Sequence, residues 1–176
     1  MNHLTPVTGT QERDAAIDVV ASLFRDHGLS LVRLAVVLTG DQATAEDVVQ
    51  DAFVGFHRAL PKLRDMDKAL GYLRTSVVNG CRSVHRARKR VQPAHVEHEL
   101  PVVSAESAVL AEHDRREVLA AVARLPVRAR EILALRYYLD LPYEEIAATL
   151  GITRGTVSST ISRALAALGR DLKEEL

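Results

Sequence analysis

The stretch Tyr143–Ser162, YEEIAATLGITRGTVSSTIS, is the most informative local pattern in this amino-acid sequence. A helix-turn-helix needs a small residue where its two helices touch, and Ala147 supplies one. It needs a residue that tolerates a positive φ in the turn, where Gly151 stands. Val157 and Ile161 are suitably spaced to face the first helix from the second. The spacing therefore predicts a helix-turn-helix, with an ordinary helical hairpin around a glycine corner as the alternative.

The second helix of this motif is expected to follow Thr153, whose hydroxyl is a good N-cap. Its outward side chains can reach the major groove of DNA and the adjacent phosphates. These outward residues are Arg154, Thr156, Ser158, Ser159, Ser162 and Arg163. Since only Arg154 and Arg163 among them are basic, we expect this segment to bind DNA weakly on its own.

Helical periodicity also extends over the first half of the chain. The apolar residues of Ile17–Phe24 recur at the spacing of one helical face, and a second apolar run ends at a helix stop, Thr39-Gly40. Thr44–Asp47 has the form of a capping box that opens a new helix, with negative charge in its first turn. That helix is predicted to end before Pro61. Its expected inward side chains are Val48, Val49, Ala52, Phe53 and Phe56.

The remaining helices follow a similar pattern, and strand-like alternation is essentially absent. A helix beginning near Asp67 is predicted to run through the basic block, residues 68–90. Pro126 suits the first turn of a later helix. Leu141-Pro142 restarts a short helix. The predicted fold is all-α, with two small helical domains joined by a flexible acidic linker. We expect a flexible start over residues 1–12, domains over 13–90 and 108–176, and the linker over 91–107.

The charge of the chain is segregated along the sequence. The 176 residues include 23 basic and 23 acidic side chains, and this zero net charge, taken alone, argues against a nucleic-acid binder. The segment 68–90, however, contains no acidic residue and seven basic ones: Lys68, Arg74, Arg82, Arg86, Arg88, Lys89 and Arg90. The segment 91–114 contains no Lys or Arg and five acidic residues: Glu97, Glu99, Glu106, Glu112 and Asp114. Neutrality is therefore a cancellation between blocks, and the basic block predicts contact with nucleic acid.

Several protein classes are disfavoured by the composition. A single cysteine, Cys81, excludes an internal disulfide and a Cys-rich zinc site. No apolar run approaches the roughly 18 residues of a membrane span, and no signal peptide is recognisable, so we expect a cytoplasmic protein without membrane insertion. His95 and His98 lack the partners of a metal site. No phosphate loop, HExxH or GxSxG motif suggests an enzyme, and no cofactor is expected.

Tracts in both halves of the chain resemble the sigma-70 family of bacterial sigma factors. Ala45–Phe53, AEDVVQDAF, resembles the core-polymerase-binding helix of that family, and Ala69–Asn79, ALGYLRTSVVN, together with the basic block resembles its promoter-melting segment. Leu125–Leu133, LPVRAREIL, and Tyr143–Val157 resemble its fourth region. Two such domains with a short linker and no third domain are the layout of the extracytoplasmic-function (ECF) group.

The resemblance implies a set of partners and contact residues. The polymerase-binding and promoter-melting tracts belong to region 2 of the family, which would bind a coiled coil of the largest subunit of core RNA polymerase. The fourth region, region 4, would bind the flap of the second-largest subunit. The residues implied for polymerase binding are Asp47, Gln50, Asp51 and Phe56, although core packing is the favoured interpretation of Phe53. The residues implied for minus-ten promoter DNA are Tyr72, Arg74, Asn79, Arg82, Arg86, Arg88, Lys89 and Arg90. The outward residues of the helix-turn-helix would contact minus-thirty-five DNA, and an anti-sigma factor is a further implied partner.

Some details of this interpretation remain alternatives. Asn79, near an expected turn before Arg82, is a candidate to capture an unstacked base, and the family often has Trp where this chain has Tyr72. Glu97 and Glu99 either mimic phosphates in a polymerase channel or simply keep the linker extended. Cys81 is either a reactive thiol beside the basic block or a buried neutral one. The alternative function is a stand-alone helix-turn-helix regulator with a ligand- or partner-sensing first half, which leaves the basic block unexplained.

Overall fold

The computed structural model describes residues 8–63, 65–91 and 118–174, and this part of the chain contains helices and no strand. The all-α fold is thus confirmed. The helices are α1 Thr8–Thr39, α2 Gln42–Ala59, α3 Ala69–Val91, α4 118–124, α5 Val127–Tyr137, α6 Tyr143–Leu150 and α7 Arg154–Glu174. The predicted linker lies outside the described residues apart from its first residue, which ends α3. None of the described helices has the length and apolarity that crossing a bilayer requires.

Helix α1 is longer than the sequence pattern suggested. It begins at Thr8 and so includes the last five residues of the segment 1–12, for which a flexible start was expected. No proline or glycine interrupts the chain between Thr10 and Ala15, and most side chains there are tolerated in helices. The predicted stop is confirmed, because Gly40 has a φ of 76° and its N–H donates to the carbonyl of Val36 at 2.8 Å.

Helix α2 begins earlier than predicted. Its N-cap is Asp41, whose carboxylate accepts a hydrogen bond from the backbone N–H of Thr44 at 2.8 Å. The capping box expected at Thr44–Asp47 was therefore wrong, and no acidic residue stands in the first turn. Asp41 takes the cap because it follows the glycine that ends α1 and has the extended backbone that an N-cap requires. The hydrogen bonds from the Thr44 hydroxyl and amide hold the pKa of Asp41 below its usual value.

The first three helices pack around an aliphatic and aromatic core. All the side chains predicted to face inward on α2 are buried, and Phe56 is fully enclosed. Leu73 and Val77 fill the facing side of α3. This helix follows a 3-10 turn at Met66–Lys68 and begins two residues later than predicted. Gly80 permits close contact between α2 and α3, since a Cβ there would lie 2.7 Å from a methyl group of Val48.

The second half of the described chain consists of α4 to α7, and its core is built around α5. Seven consecutive residues of α5, from Ala129 to Leu135, are buried. Helix α5 starts at Val127, so Pro126 precedes the helix instead of occupying its first turn, and its carbonyl accepts the first helical hydrogen bonds. The restart predicted at Leu141-Pro142 is confirmed by α6. Buried side chains of the two halves belong to one continuous core, because α1 packs on α5 and α3 packs on α6.

The close approach of α2 and α3 can be tested with two glycines of α3. We predict that Gly80→Ala lowers the free energy of unfolding by about 1–3 kcal/mol, because the stiff Val48 side chain must move. Gly71→Ala is the matched control, since a Cβ at Gly71 meets nothing within 4 Å. That control should gain about 0.5–1 kcal/mol from helix propensity. Urea unfolding measures both, and an equal gain in the two variants would contradict the packing described.

Candidate nucleic-acid interface

The C-terminal part of α3 displays a row of exposed cations. Arg86, Lys89 and Arg90 are all exposed, and the basic residues of the last turn complement the negative end of the helix dipole. Arg86 donates a hydrogen bond to the Ser83 hydroxyl at 3.1 Å. These three side chains extend from a rigid helix and are accessible to the phosphates of a nucleic acid.

Two other cations of the basic block are paired with carboxylates of the second half. Arg82 donates to both oxygens of Glu131, from Nε at 2.6 Å and from Nη2 at 2.8 Å. Arg74 donates from Nη1 to Glu145 at 2.8 Å. Sequence reasoning missed both acidic partners. The available signal was the position of Glu131 directly before the apolar run Ile132–Leu135, because a carboxylate buried with such a run requires a cationic or hydrogen-bonding partner.

The candidate base-capturing residues lie on one continuous helix. The expected turn before Arg82 was wrong, because α3 runs unbroken from Ala69 to Val91 and contains Asn79. The exposed Asn79 accepts a hydrogen bond from Arg82 Nη1 at 3.1 Å. Tyr72 is exposed on one side, while its ring centroid lies 5.8 Å from that of the buried Phe56. Helix α3 therefore has no turn between Asn79 and Arg82.

Arg88 has a structural role that its position among the other basic residues of α3 did not indicate. Its guanidinium donates to the carbonyl of Thr39 at 2.8 Å and to the hydroxyl of Thr44 at 3.2 Å. It therefore ties the end of α1 to the beginning of α2. The minus-ten role implied for Arg88 does not fit this geometry, because its donors satisfy the carbonyl at a helix end. His85 lies one turn earlier on α3, with its Nε2 2.7 Å from the carbonyl of Leu38.

The helix-turn-helix has the geometry that its sequence predicted. Gly151 ends α6 in the left-handed region at φ 64°, and the Thr153 hydroxyl accepts from the backbone N–H of Thr156 at 3.1 Å. Ala147, Val157 and Ile161 are buried between the helices. Five of the six predicted outward residues of α7 are exposed: Arg154, Thr156, Ser159, Ser162 and Arg163. The sixth, Ser158, is half-buried.

Both arginines on the outward face of α7 have partners within the second half. Arg154 Nε lies 2.6 Å from a carboxylate oxygen of Glu144, and its guanidinium lies 5.8 Å from the ring centroid of Tyr143. Arg163 donates to the carbonyl of Ser159 at 3.1 Å. The contacts orient both guanidiniums while leaving them on the exposed face.

The residues implied for polymerase binding divide into two groups. Asp47, Gln50 and Asp51 are exposed on α2. Phe56 is 0% exposed, so the assignment of this residue to a contact surface was wrong. It lies on the inner face of α2, where its ring fills the core. The core interpretation of Phe53 agrees with the structure, since this residue is buried and meets the ring of Phe24 edge-on at 5.1 Å.

A largely apolar groove of about 960 Å³ lies between α1 and α2. Phe24, which is 52% exposed, and Leu29 line it from α1, and Val54 and Gln50 line it from α2. The exposed carboxylate of Asp47 lies on the same helix as these α2 residues. An apolar groove beside acidic side chains has the chemistry to accept an amphipathic helix with basic residues.

The described residues offer no reactive thiol and no metal site. Cys81 is buried, and burial, together with the charge of Glu131, raises the pKa of its thiol to about 12. The buried neutral interpretation of Cys81 thus agrees with the structure. The part of the chain that the structure describes contains no cluster of His, Cys, Asp and Glu able to hold a metal. His95 and His98, like Glu97 and Glu99, lie outside the described residues.

Two family models match the chain in the order that the sequence tracts suggested. Sigma-70 region 2 matches residues 23–91, which include α2 and α3. Sigma-70, region 4 matches residues 115–168, which include α5, α6 and most of α7. The basic helix α3 thus lies in region 2, and the helix-turn-helix lies in region 4.

Relatives of known name match along most of the chain. RNA polymerase sigma-E factor of Streptomyces avermitilis is 33% identical over 144 residues, which are 82% of this chain and 79% of that protein. ECF RNA polymerase sigma factor SigL of Mycobacterium tuberculosis is 31% identical over 171 residues, 96% of each protein. The solved complex of the sigma factor RpoE with the anti-sigma factor NepR from Bartonella quintana aligns with a TM-score of 0.72 and 25% identity. It covers 86% of this chain and 97% of the matched chain.

The described residues form an all-α fold with a helix-turn-helix, a motif that is typical of DNA-binding proteins. The matches to both regions then give the family. The chain belongs to the sigma-70 family and is a sigma factor of the ECF group.

The structural role of Arg88 gives a prediction on stability. Arg88→Gln should lower the free energy of unfolding by about 1–3 kcal/mol, because two helix ends lose a charge-assisted hydrogen-bond donor. Lys89→Gln is the matched control, since it removes the same charge from an exposed neighbour and should change stability by less than about 0.5 kcal/mol. Chemical denaturation of both variants checks this, and equal losses would contradict the assignment.

Proposed function

We propose that this ECF sigma factor binds core RNA polymerase through α2 and directs initiation by contacting minus-ten DNA with α3 and minus-thirty-five DNA with α7. The observation that carries the proposal is the row of exposed cations Arg86, Lys89 and Arg90 on a helix whose sequence matches region 2. The exposed polar face of α7 supplies the second DNA contact. The protein acts as a specificity subunit of the polymerase in the cytoplasm and performs no catalytic step itself.

Each part of α3 has a different task in this proposal. The exposed cations bind phosphates and set the register of the helix on the promoter, a contribution that falls as salt rises. Asn79 offers an amide on the exposed face, and Tyr72 offers a partly exposed ring. An unstacked base of a melted promoter can be held by such a polar group and such a ring. Arg88 is left out of the DNA contacts because it joins α1 to α2.

Helix α7 is suited to read duplex DNA. Arg154 and Arg163 bring positive charge to its outward face, and Thr156, Ser159 and Ser162 bring hydroxyls. Hydroxyls of this kind bond both phosphates and base edges, and helix-turn-helix proteins insert the second helix into the major groove. With only two cations, this face adds modest affinity, and the polymerase must hold it at the promoter.

The groove between α1 and α2 is the proposed site for the largest polymerase subunit. Phe24 and Leu29 provide apolar area in the groove, and the exposed Asp47 and Asp51 of α2 provide negative charge for a basic helix of a coiled coil. We further infer that region 4 binds the flap of the second-largest subunit. An anti-sigma factor is an additional proposed partner, because the related RpoE has been solved in complex with one.

Run-off transcription with purified bacterial core polymerase and a promoter library tests the proposed function. The chain should stimulate initiation at a defined set of promoters, and the free chain should bind the same duplexes more weakly than the holoenzyme at matched salt. Absence of specific stimulation would contradict the proposal. Specific duplex binding that is equally tight without polymerase would instead support a stand-alone regulator.

The DNA role of α3 yields a prediction that separates melting from docking. Arg86→Ala combined with Lys89→Ala should reduce open-complex formation about tenfold, because two phosphate contacts are lost. Binding to core polymerase should be retained. Permanganate footprinting measures promoter melting, and co-elution measures polymerase binding.

The matched control removes the same charge from α1, by Arg25→Ala combined with Arg33→Ala, two exposed residues outside the basic block. This control should melt the promoter normally. If the α3 variant loses polymerase binding as strongly as melting, α3 is a docking element and the assignment fails.

A further inference from the structure

The contact between the two halves engages cations of the basic helix. Glu131 of α5 has a side chain that is only 3% exposed, and it receives both donors of Arg82 in a two-pronged ion pair. Arg128 adds a third donor at 3.3 Å. A carboxylate this deeply buried requires a close cation, so the pair with Arg82 is a defined feature of the fold and differs from a mobile surface ion pair.

A second ion pair lies two helical turns away on α3. Arg74, whose side chain is 17% exposed, donates to Glu145 of α6 at 2.8 Å. Glu145 lies in the first helix of the helix-turn-helix, and Glu131 lies in the helix before it. Both carboxylates therefore come from region 4, and both cations come from the helix that region 2 presents to the promoter.

An arginine that holds a carboxylate uses the same planar donors with which it would hold a phosphate. Arg82 directs its Nε and Nη2 at Glu131 and its Nη1 at Asn79. In this conformation Arg82 and Arg74 are engaged with region 4, whereas Arg86, Lys89 and Arg90 remain exposed. The basic helix thus has an engaged group and an available group of cations.

We propose that Glu131 and Glu145 are internal competitors of promoter DNA, which hold region 4 against α3 in a closed form until DNA takes over Arg82 and Arg74. The proposal rests on the proposed DNA role of α3. DNA first meets the exposed cations, and complete binding of α3 requires α5 and α6 to move away. Opening is then a population shift, in which DNA favours the open form because only that form offers Arg82 and Arg74 in addition to the exposed cations.

The test combines Glu131→Gln with Glu145→Gln in the full-length free chain. The matched control combines Asp26→Asn with Asp171→Asn, which changes the net charge equally at two exposed or half-buried sites. Among the residues that the structure describes, Asp26 accepts from Ser22 on α1 and Asp171 pairs with Arg124, and each of these contacts lies within one half of the chain. The probe is a fluorescent promoter fork with an unpaired minus-ten strand.

We expect the E131Q/E145Q variant to bind the fork about tenfold more tightly than wild type, and the control to stay within about twofold. E145Q alone, a substitution at an exposed site, should give an intermediate gain and guards against a folding defect in region 4. Equal affinities of the E131Q/E145Q variant and the control would overturn the proposal, as would failure of both to bind the fork at low salt.

A distance measurement tests the closed form independently of DNA and of transcription. Spin labels are attached at the exposed positions Arg25 of α1 and Arg170 of α7 after substitution with cysteine. The native Cys81 is buried and should not take up label. Wild type should give one narrow distance distribution, and E131Q/E145Q a broad one that extends to longer distances. Identical distributions would overturn the closed form even if run-off transcription supports the sigma function, and a failed run-off assay would leave this distance result standing.

Discussion

The central constraint in this structure is the burial of the Glu131 carboxylate on α5, a helix of which seven consecutive residues are buried. A buried charge is stable only with a hydrogen-bonded counter-charge, and Arg82 of the other half supplies it at 2.6 Å. Because the buried Glu131 requires this counter-charge, region 4 is linked to the basic helix α3 of region 2. The continuous apolar core brings the two halves together, and the ion pair joins α3 to α5.

This constraint gives the neutral composition of the chain a structural meaning. The basic block along α3 is partly neutralised by carboxylates of region 4, at Arg82 and at Arg74, and partly left exposed. An evenly mixed surface would also be neutral, but it would not offer DNA a concentrated row of cations. In the proposed function, segregated charge lets one helix bind two partners in turn, an internal acidic surface and a promoter.

The local features of the fold were largely predictable from the sequence, and the long-range features were not. The helix-turn-helix was predictable because Ala147, Gly151 and Thr153 act through local backbone geometry. The cap of α2 was misassigned by three residues, because Asp41 and Thr44 are both competent caps and only the end of α1 decides between them. Phe56 and Arg88 were misassigned because a residue type indicates the chemistry of a side chain but not the direction in which the side chain points. Glu131 was missed because its partner is 49 residues away.

The most direct test of this account is whether the effect of Glu131 on DNA binding depends on Arg82. The affinity of the free chain for a minus-ten fork is measured for wild type, Glu131→Gln, Arg82→Gln and the double variant at one salt concentration. We expect Glu131→Gln to strengthen binding when Arg82 is present and to have no effect when Arg82 is replaced. An equal gain in both backgrounds would show that Glu131 acts only through net charge and would contradict the account.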